Sequence, residues 1–430
     1  MTERPQNVLI VDGYATGTQY AARIRARGMK PYHITSGWEK LSSFSPDFMN
    51  KYIKSQVGGL YEACWRMPDD LEQAVQKLKP YRFAAVIPGT ETGVIAAETL
   101  ALRLGLPVNK PELLWARRDK FLMQKALAAA GLNHIDSFLT GSLDQALAWF
   151  KQKNYPRIII KPARSAGTDG VASCQNEDEI ARYFHKYLHQ TDAAGNLNDQ
   201  LLLQEYVEGD EMVLNCVSCQ GRHILTDVLL YNKVLTRSGV PVYEASKLVH
   251  DLSGRYKQAA EYTFKVLDAL GITRSSSHSE IKLTDRGPVL VETGARIMGS
   301  TPPQYYDALG YNLIDWSLDA YLDPAAHQKN ARRPYAPKKH FMAKFFISEK
   351  DAPIEEVTAE KTLPLLDSFV TSNFNTLKIT KHLHKTVDMP SKPGDCLLMA
   401  DSELQLLRDY NLCRFMEKCR SGLLWREAGQ

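Results

Sequence analysis

The first apolar stretch, NVLIVD at residues 7–12, is unbroken and ends at Asp12-Gly13. That pattern predicts a strand buried on both faces, followed by a loop. The next segment, TGTQYAARIRARG, places Ala21 and Ile24 on one helical face and ends at Gly28. A helix with a glycine stop is expected there. The pair recurs as FAAVIPG (83–89) and ETGVIAAETLALRLG (91–105), with Pro107 just beyond the glycine. Strand, helix, strand, helix predicts a doubly wound α/β domain, with ligands favoured at the strand ends Asp12-Gly13 and Gly89-Thr90-Glu91. Gly13 and Gly17 lack the full dinucleotide-binding spacing.

The pattern changes after LPVNKPELLWARRDK (106–120), a connection with two prolines and a basic cluster. DKFLMQKALAAAG reads as a helix stopped at Gly131, and SLDQALAWF starts on a capping box of Ser142 and Gln145. RIIIKP is a strand that carries Lys161 into SAGTDG, a loop of small residues. LLLQEYVEGDE (201–211) is a strand broken at Gly209, and EMVLNCVSC and HILTDVLLYNK are further strands. An amphipathic helix covers 256–271. Two short apolar runs, IKL and VLVET, flank the turn Thr284-Asp285-Arg286-Gly287-Pro288, a hairpin pattern. A helical stretch follows from Tyr305, then strand-like runs and a last helix from about 402 to 418. The predicted class is α/β, with an α+β C-terminal part. Residues 1–112 form the first domain, 113–205 a second unit, and 206–430 a third.

Composition narrows the function classes. With 430 residues, 44% hydrophobic and 24% charged, the chain can build large cores unaided. A formal net charge of +4 gives no field suited to nucleic acid or an acidic membrane. No apolar run reaches membrane-span length, and the opening, with Glu3, does not read as a secretory leader. Seven scattered cysteines fit a reducing cytoplasm. Cys216 and Cys219 form a C-x-x-C inside an apolar strand pattern, without a second ligand pair, and are read as structural.

The hairpin holds the most suggestive chemistry. Glu280 and Glu292 lie on its two strands, and alternation allows both carboxylates to face one side. Paired carboxylates repel unless a cation lies between them, and Mg²⁺ is held this way beside phosphates. Arg296 follows at a distance suited to offsetting phosphoryl charge. Two solvated surface glutamates are the competing reading. The loop after Lys161 offers backbone N–H groups to phosphate oxygens. Glu91 reads first as a helix-start acid favoured by the dipole, with a substrate contact as the alternative. Glu244 and Lys247 are substrate-side candidates, and Tyr243 reads as packing.

Taken in order, RDKFLMQKALAAAG, IIIKPARSAGTDGV, QEYVEGDE, HSEIKLT and VETGAR resemble the successive motifs of the ATP-grasp superfamily over roughly residues 5–330. VLIVDGYATG, PGTETGVIAAETLALRLGLPVN and ETGAR look most like its bacilysin- and dapdiamide-type L-amino-acid ligases. The resemblance implies an N-terminal α/β domain followed by a two-lobed ATP-grasp module, with 113–205 as its lid and 206–430 as its catalytic core. It implies Lys120 and Lys161 at the phosphates, under a closing loop with Ser165, Ala166 and Gly167. Gln204, Glu205 and Val207 would hold the adenine and Glu211 the ribose. Glu280 and Glu292 would be Mg²⁺ ligands (Mn²⁺ as substitute), with Lys161 and Arg296 as catalytic residues. The implied activity is an ADP-forming ligase that activates a carboxylate as an acyl phosphate and joins it to an amino acid. Bicarbonate activation, as in carboxylases of the superfamily, and a silent nucleotide-binding protein are the alternatives. Small-molecule substrates, no nucleic acid, no membrane and a homodimer are the implied partners. Gly294 departs from the motif: many members carry Asn there as a further metal ligand.

Overall fold

Alternate residues of the first strand, Asn7–Val11, enter two different cores. Val8 and Ile10 pack with Ala21 and Ile24 of the helix Gln19–Ala26. Leu9 and Val11 pack on the opposite face with Leu78, Ala97 and Leu100, from the helices Leu71–Leu78 and Val94–Arg103. Both faces of the strand are therefore covered, which is why its sequence is continuously apolar. The sheet is parallel, in the order Cys64–Arg66, Lys30–Thr35, Asn7–Val11, Phe83–Pro88. The computed structural model describes residues 5–37, 46–164, 170–191, 197–236, 241–299, 301–389, 391–419 and 422–427.

A second sheet of four antiparallel strands follows, in the order Ser137–Thr140, Leu201–Glu205, Ile158–Lys161, Ala172–Cys174. The helices Leu143–Lys153 and Glu177–Tyr187 pack on it through Trp149, Ile180 and Phe184. Ser142 caps the first of these, its hydroxyl accepting from the Gln145 N–H.

The largest sheet has eight antiparallel strands. Its order is Gly287–Gly294, Arg274–Thr284, Asp210–Cys219, Arg222–Leu235, Pro241–Leu248, His340–Phe345, Asp395–Ala400, Phe369–Asn373. The helices Gly254–Ala269 and Lys120–Ala129 cover one face through Leu267 and Leu127. Val213 and Leu229 on the other face join the core that also holds Val8 and Ile10, with Tyr305 and Ile314 between them. The helical stretch after the hairpin is two helices, Tyr305–Leu309 and Leu313–Leu322, because Gly310 turns left-handed (φ +80°) between them. Residues beyond 331 extend this sheet by three strands, and the helix Glu403–Lys418 packs over them. A small sheet (His382–Leu383, Ala352–Val357, Trp425–Glu427) completes the C-terminal part. No helix among the described residues is long and apolar enough to cross a membrane.

One buried ion pair fastens the first sheet to the rest. Arg117 is fully buried, and its guanidinium forks onto Glu98 of the helix Val94–Arg103. The same side chain donates to the carbonyls of Leu270 (2.9 Å) and Lys110 (3.1 Å). Arg117→Ala strands a buried carboxylate, so unfolding by denaturant should show a loss of about 3–5 kcal/mol. Pairing Arg117→Met with Glu98→Gln should recover much of that loss.

Candidate active site

The strand Arg274–Thr284 and its partner Gly287–Gly294 form a hairpin whose register starts at Thr284 opposite Gly287. Strict alternation from that turn would set Glu280 opposite Val291 and turn Glu292 to the other face. The register instead shifts by one residue between Glu280 and Ile281. That bulge sets Glu280 directly opposite Glu292, so the two carboxylates share a face. Burial, reinforced by the charge of Glu292, raises the pKa of Glu280. Burial acts the same way on Glu292, but Lys120 and Lys161 outweigh it and hold that carboxylate ionised.

Both lysines reach the pair from the second sheet and its connection. Lys120 is the first residue of the helix Lys120–Ala129, capped by Asp119, whose Oδ1 accepts from the N–H groups of Phe121 and Leu122. The Lys120 N–H donates to the carbonyl of Ala163 (3.1 Å), which docks the helix start just beyond the strand carrying Lys161. Lys120 Nζ lies 3.0 Å from Glu292 Oε2. Burial, then the charge of Lys120, lowers the Lys161 pKa to about 8.

Glu91 arrives from the end of the parallel strand Phe83–Pro88. Its carboxylate accepts from Arg118 (2.7 Å) and from Arg296 Nε (2.8 Å). Burial raises its pKa, yet Arg296 and Arg118 more than compensate and keep it below the ordinary range. The side chain is engaged by two arginines rather than by a helix N-terminus, which corrects the helix-dipole reading. Arg118 was hidden in the basic cluster of 106–120, where only its neighbours differ: Arg117 is buried structure and Arg118 reaches the site. Gly294 sits beneath this group. A Cβ there would stand 2.2 Å from Glu91 Oε2, so a side chain on Gly294 and the observed Glu91 position exclude each other. The space that a longer residue would use is filled by an acid from the first domain.

The same sheet face continues away from the glutamates. Glu211 pairs with Lys233 (2.8 Å) and accepts from the Tyr243 hydroxyl (2.8 Å). Burial, then the carboxylates of Glu280 and Glu211, push the Tyr243 pKa up, so it remains a donor. Tyr243 thus belongs to the polar face rather than to packing alone. Lys282 donates to the Val207 carbonyl (2.8 Å), joining the hairpin to the end of the strand Leu201–Glu205. Glu205 meets Arg286 of the hairpin turn, and its Oε1 accepts from the Asp136 N–H (3.0 Å). The Gln204 amide donates to Ser137 Oγ (2.9 Å). His278, opposite Asn215 in the register, makes a ring-nitrogen contact with its amide oxygen (2.8 Å).

Glu244 and Lys247 are not part of this arrangement. A register shift makes Glu244 a bulge residue between the pairs Lys233–Tyr243 and Asn232–Ala245. As the residue next to Tyr243, it turns its carboxylate to the opposite face by ordinary strand alternation. There it is nearly fully buried and accepts from Asn232, Tyr410 and Arg414 (2.7–2.8 Å). Lys247 lies on that same opposite face and pairs with Glu403. Ser165, Ala166 and Gly167 lie outside the described residues. Cys216 and Cys219 are buried and reduced in two separate cores, Cys216 with Leu214 and Cys219 with Trp316, so they cannot share an ion.

The chain is similar in sequence and fold to known proteins. The family model described as an ATP-grasp domain matches residues 154–303. Dapdiamide A synthase of Enterobacter agglomerans is 29% identical over 400 residues, spanning 92% of each chain. The crystal structure of an L-amino acid ligase from Bacillus licheniformis superposes with a TM-score of 0.72 at 16% identity, covering 96% of this chain and 98% of that one. An N5-carboxyaminoimidazole ribonucleotide synthetase solved as its ADP complex gives 0.65 at 14% identity, over 96% and 98%. With its motifs in order and its paired glutamates facing two lysines, the chain matches the ATP-grasp domain over residues 154–303 and is similar along most of its length to a carboxylate–amine ligase, whose fold class it shares.

Proposed function

We propose that the face formed by Glu280, Glu292, Lys120, Lys161, Arg296 and Glu91 is where this ligase activates a carboxylate with ATP and joins it to an amino acid. The carrying observation is the convergence of the two lysines on a pair of opposed, partly buried carboxylates. Two carboxylates so placed suit a hard divalent cation, since the burial that raises Glu280 is relieved when a cation shares both. Glu280 and Glu292 would hold Mg²⁺, which when bound offsets charge on the β- and γ-phosphates.

The chemistry needs little covalent help from the protein. A substrate carboxylate oxygen attacks the γ-phosphorus, the bond to the ADP oxygen breaks, and an acyl phosphate forms. The amine nitrogen then attacks the acyl carbon, phosphate leaves with the electron pair, and the nitrogen loses its proton to give the amide. Lys120 and Lys161 offset charge on the phosphates, and Arg296 does so at the transferring group. Gln204, Glu205 and Val207 would hold the adenine, and Glu211 the ribose, at the far end of the same face. Glu91, only one-fifth exposed and clamped by Arg118 and Arg296, presents a carboxylate suited to a substrate ammonium group. A homodimer is the proposed assembly.

Phosphate release with ATP and Mg²⁺ should require a pair of amino acids and yield a dipeptide mass. Release that depends on bicarbonate would reassign the enzyme to carboxylation, and ATP binding without turnover would make the site silent. Glu292→Ala or Arg296→Ala should lower ADP formation by at least about 100-fold while the circular dichroism spectrum is unchanged. Near-normal turnover in either would overturn these roles. Lys161→Ala should act mainly on nucleotide affinity, raising the Kd for ATP at least about tenfold. Gly294→Ala should displace Glu91 and cut kcat/KM by about 100-fold, leaving ATP affinity nearly constant.

A further inference from the structure

A second cluster of metal-binding side chains lies far along the chain, in the small C-terminal sheet. The strands Ala352–Val357 and His382–Leu383 pair antiparallel, with Ala352 opposite Leu383 and Pro353 opposite His382. Continuing that register by one residue sets Asp351 opposite His384. Leu383 points into the C-terminal core and is 1% exposed. Its neighbours His382 and His384 therefore both point outward, on the face that Asp351 shares. The three side chains already converge. His382 Nε2 lies 2.5 Å from Asp351 Oδ1, and His384 Nδ1 lies 3.6 Å from Asp351 Oδ2. One donor atom from each of the three falls within 4.8 Å of the others.

We propose that Asp351, His382 and His384 form a Zn²⁺-binding site, with water in the open position, separate from the ligase centre. Two imidazoles and one carboxylate suit zinc, which prefers nitrogen and mixed N/O donors in a tetrahedron. Ligands at zinc distances in a tetrahedron stand about 3.3 Å apart. The present spacings straddle that value, so small rotations of exposed side chains bring the donors into place. The fold gives the ion something to do. The ladder joining these strands has only two residue pairs, and one of them contains Pro353, which lacks an N–H. A metal bridging residues 351, 382 and 384 closes a 31-residue segment at its weakest point.

The test uses the full chain without an affinity tag, in excess Mg²⁺ to fill acidic sites at the hairpin. Titration with Zn²⁺ by calorimetry should show one ion per chain, and Co²⁺ in its place should give visible d–d absorption. His384→Ala should weaken Zn²⁺ at least about tenfold, and the His382→Ala/His384→Ala double variant roughly 100-fold. Ligase turnover in Mg²⁺ should be unchanged in both. Glu292→Ala should still bind the ion, which separates this site from the hairpin carboxylates. Equal Zn²⁺ affinity in the double variant, loss of the ion in Glu292→Ala, or no stoichiometric binding to the unsubstituted chain would each overturn the assignment.

Discussion

Glu280 and Glu292 are opposed, partly buried, and of like charge, and the surrounding structure answers that repulsion. Lys120 is positioned by a helix cap and by a bond from its own N–H to Ala163, and Lys161 by the strand that leads to the same point. Arg296 is positioned by Glu91 from another sheet. Three separately folded segments thus converge on one pair of acids. Such a cluster is favourable in a low-dielectric setting only when each charge has a partner close by. In the proposed reaction the same cations would offset the charge of a polyanion, which is the requirement of phosphoryl transfer.

Glu91 ties the first domain to this centre. The parallel sheet ends its first and fourth strands at Asp12-Gly13 and Gly89-Thr90, and these turns touch closely enough that a Cβ on Gly89 would stand 2.6 Å from the Asp12 carbonyl. Asp12 is buried and accepts from Ser36 and Thr92, which stiffens the segment leading to Glu91. The crevice at these strand ends is where an open parallel sheet admits ligands. Here Glu91, at one of those strand ends, bonds Arg296, so the first sheet and the hairpin share one set of charges. Gly294 is explained by the same contact: the missing side chain makes room for the acid from the first domain.

Beneath the sheet, the opposite face is organised by a second set of charges. Glu244 accepts from Asn232, Tyr410 and Arg414, and Lys344, fully buried, bonds Glu417 (3.1 Å). These groups attach the last helix to the strands that extend the sheet. Alternation along the strand thus divides the neighbours Tyr243 and Glu244 between the face of the paired carboxylates and a structural one.

Much of this was legible in the residues themselves. Continuous apolar runs, glycine helix stops and the hairpin turn are local signals, because they reflect backbone preference and burial on a known period. The order of the lysine strand, the strand Leu201–Glu205 and the glutamate hairpin likewise survives in one dimension. What the sequence could not decide was parity and pairing. Strict alternation from the turn would have put Glu280 and Glu292 on opposite faces, and only the one-residue bulge reunites them. A second bulge, just after Tyr243, puts Lys247 on the face opposite Tyr243, where strict alternation would have kept the two together. Arg117 and Arg118, adjacent and alike in sequence, become a buried clamp on Glu98 and a partner of Glu91. A bulge costs little locally and is selected by how whole sheets pack, and a charge takes its meaning from the partner that the fold brings to it. Those facts exist only between segments distant in the chain, so the tertiary structure alone decides them.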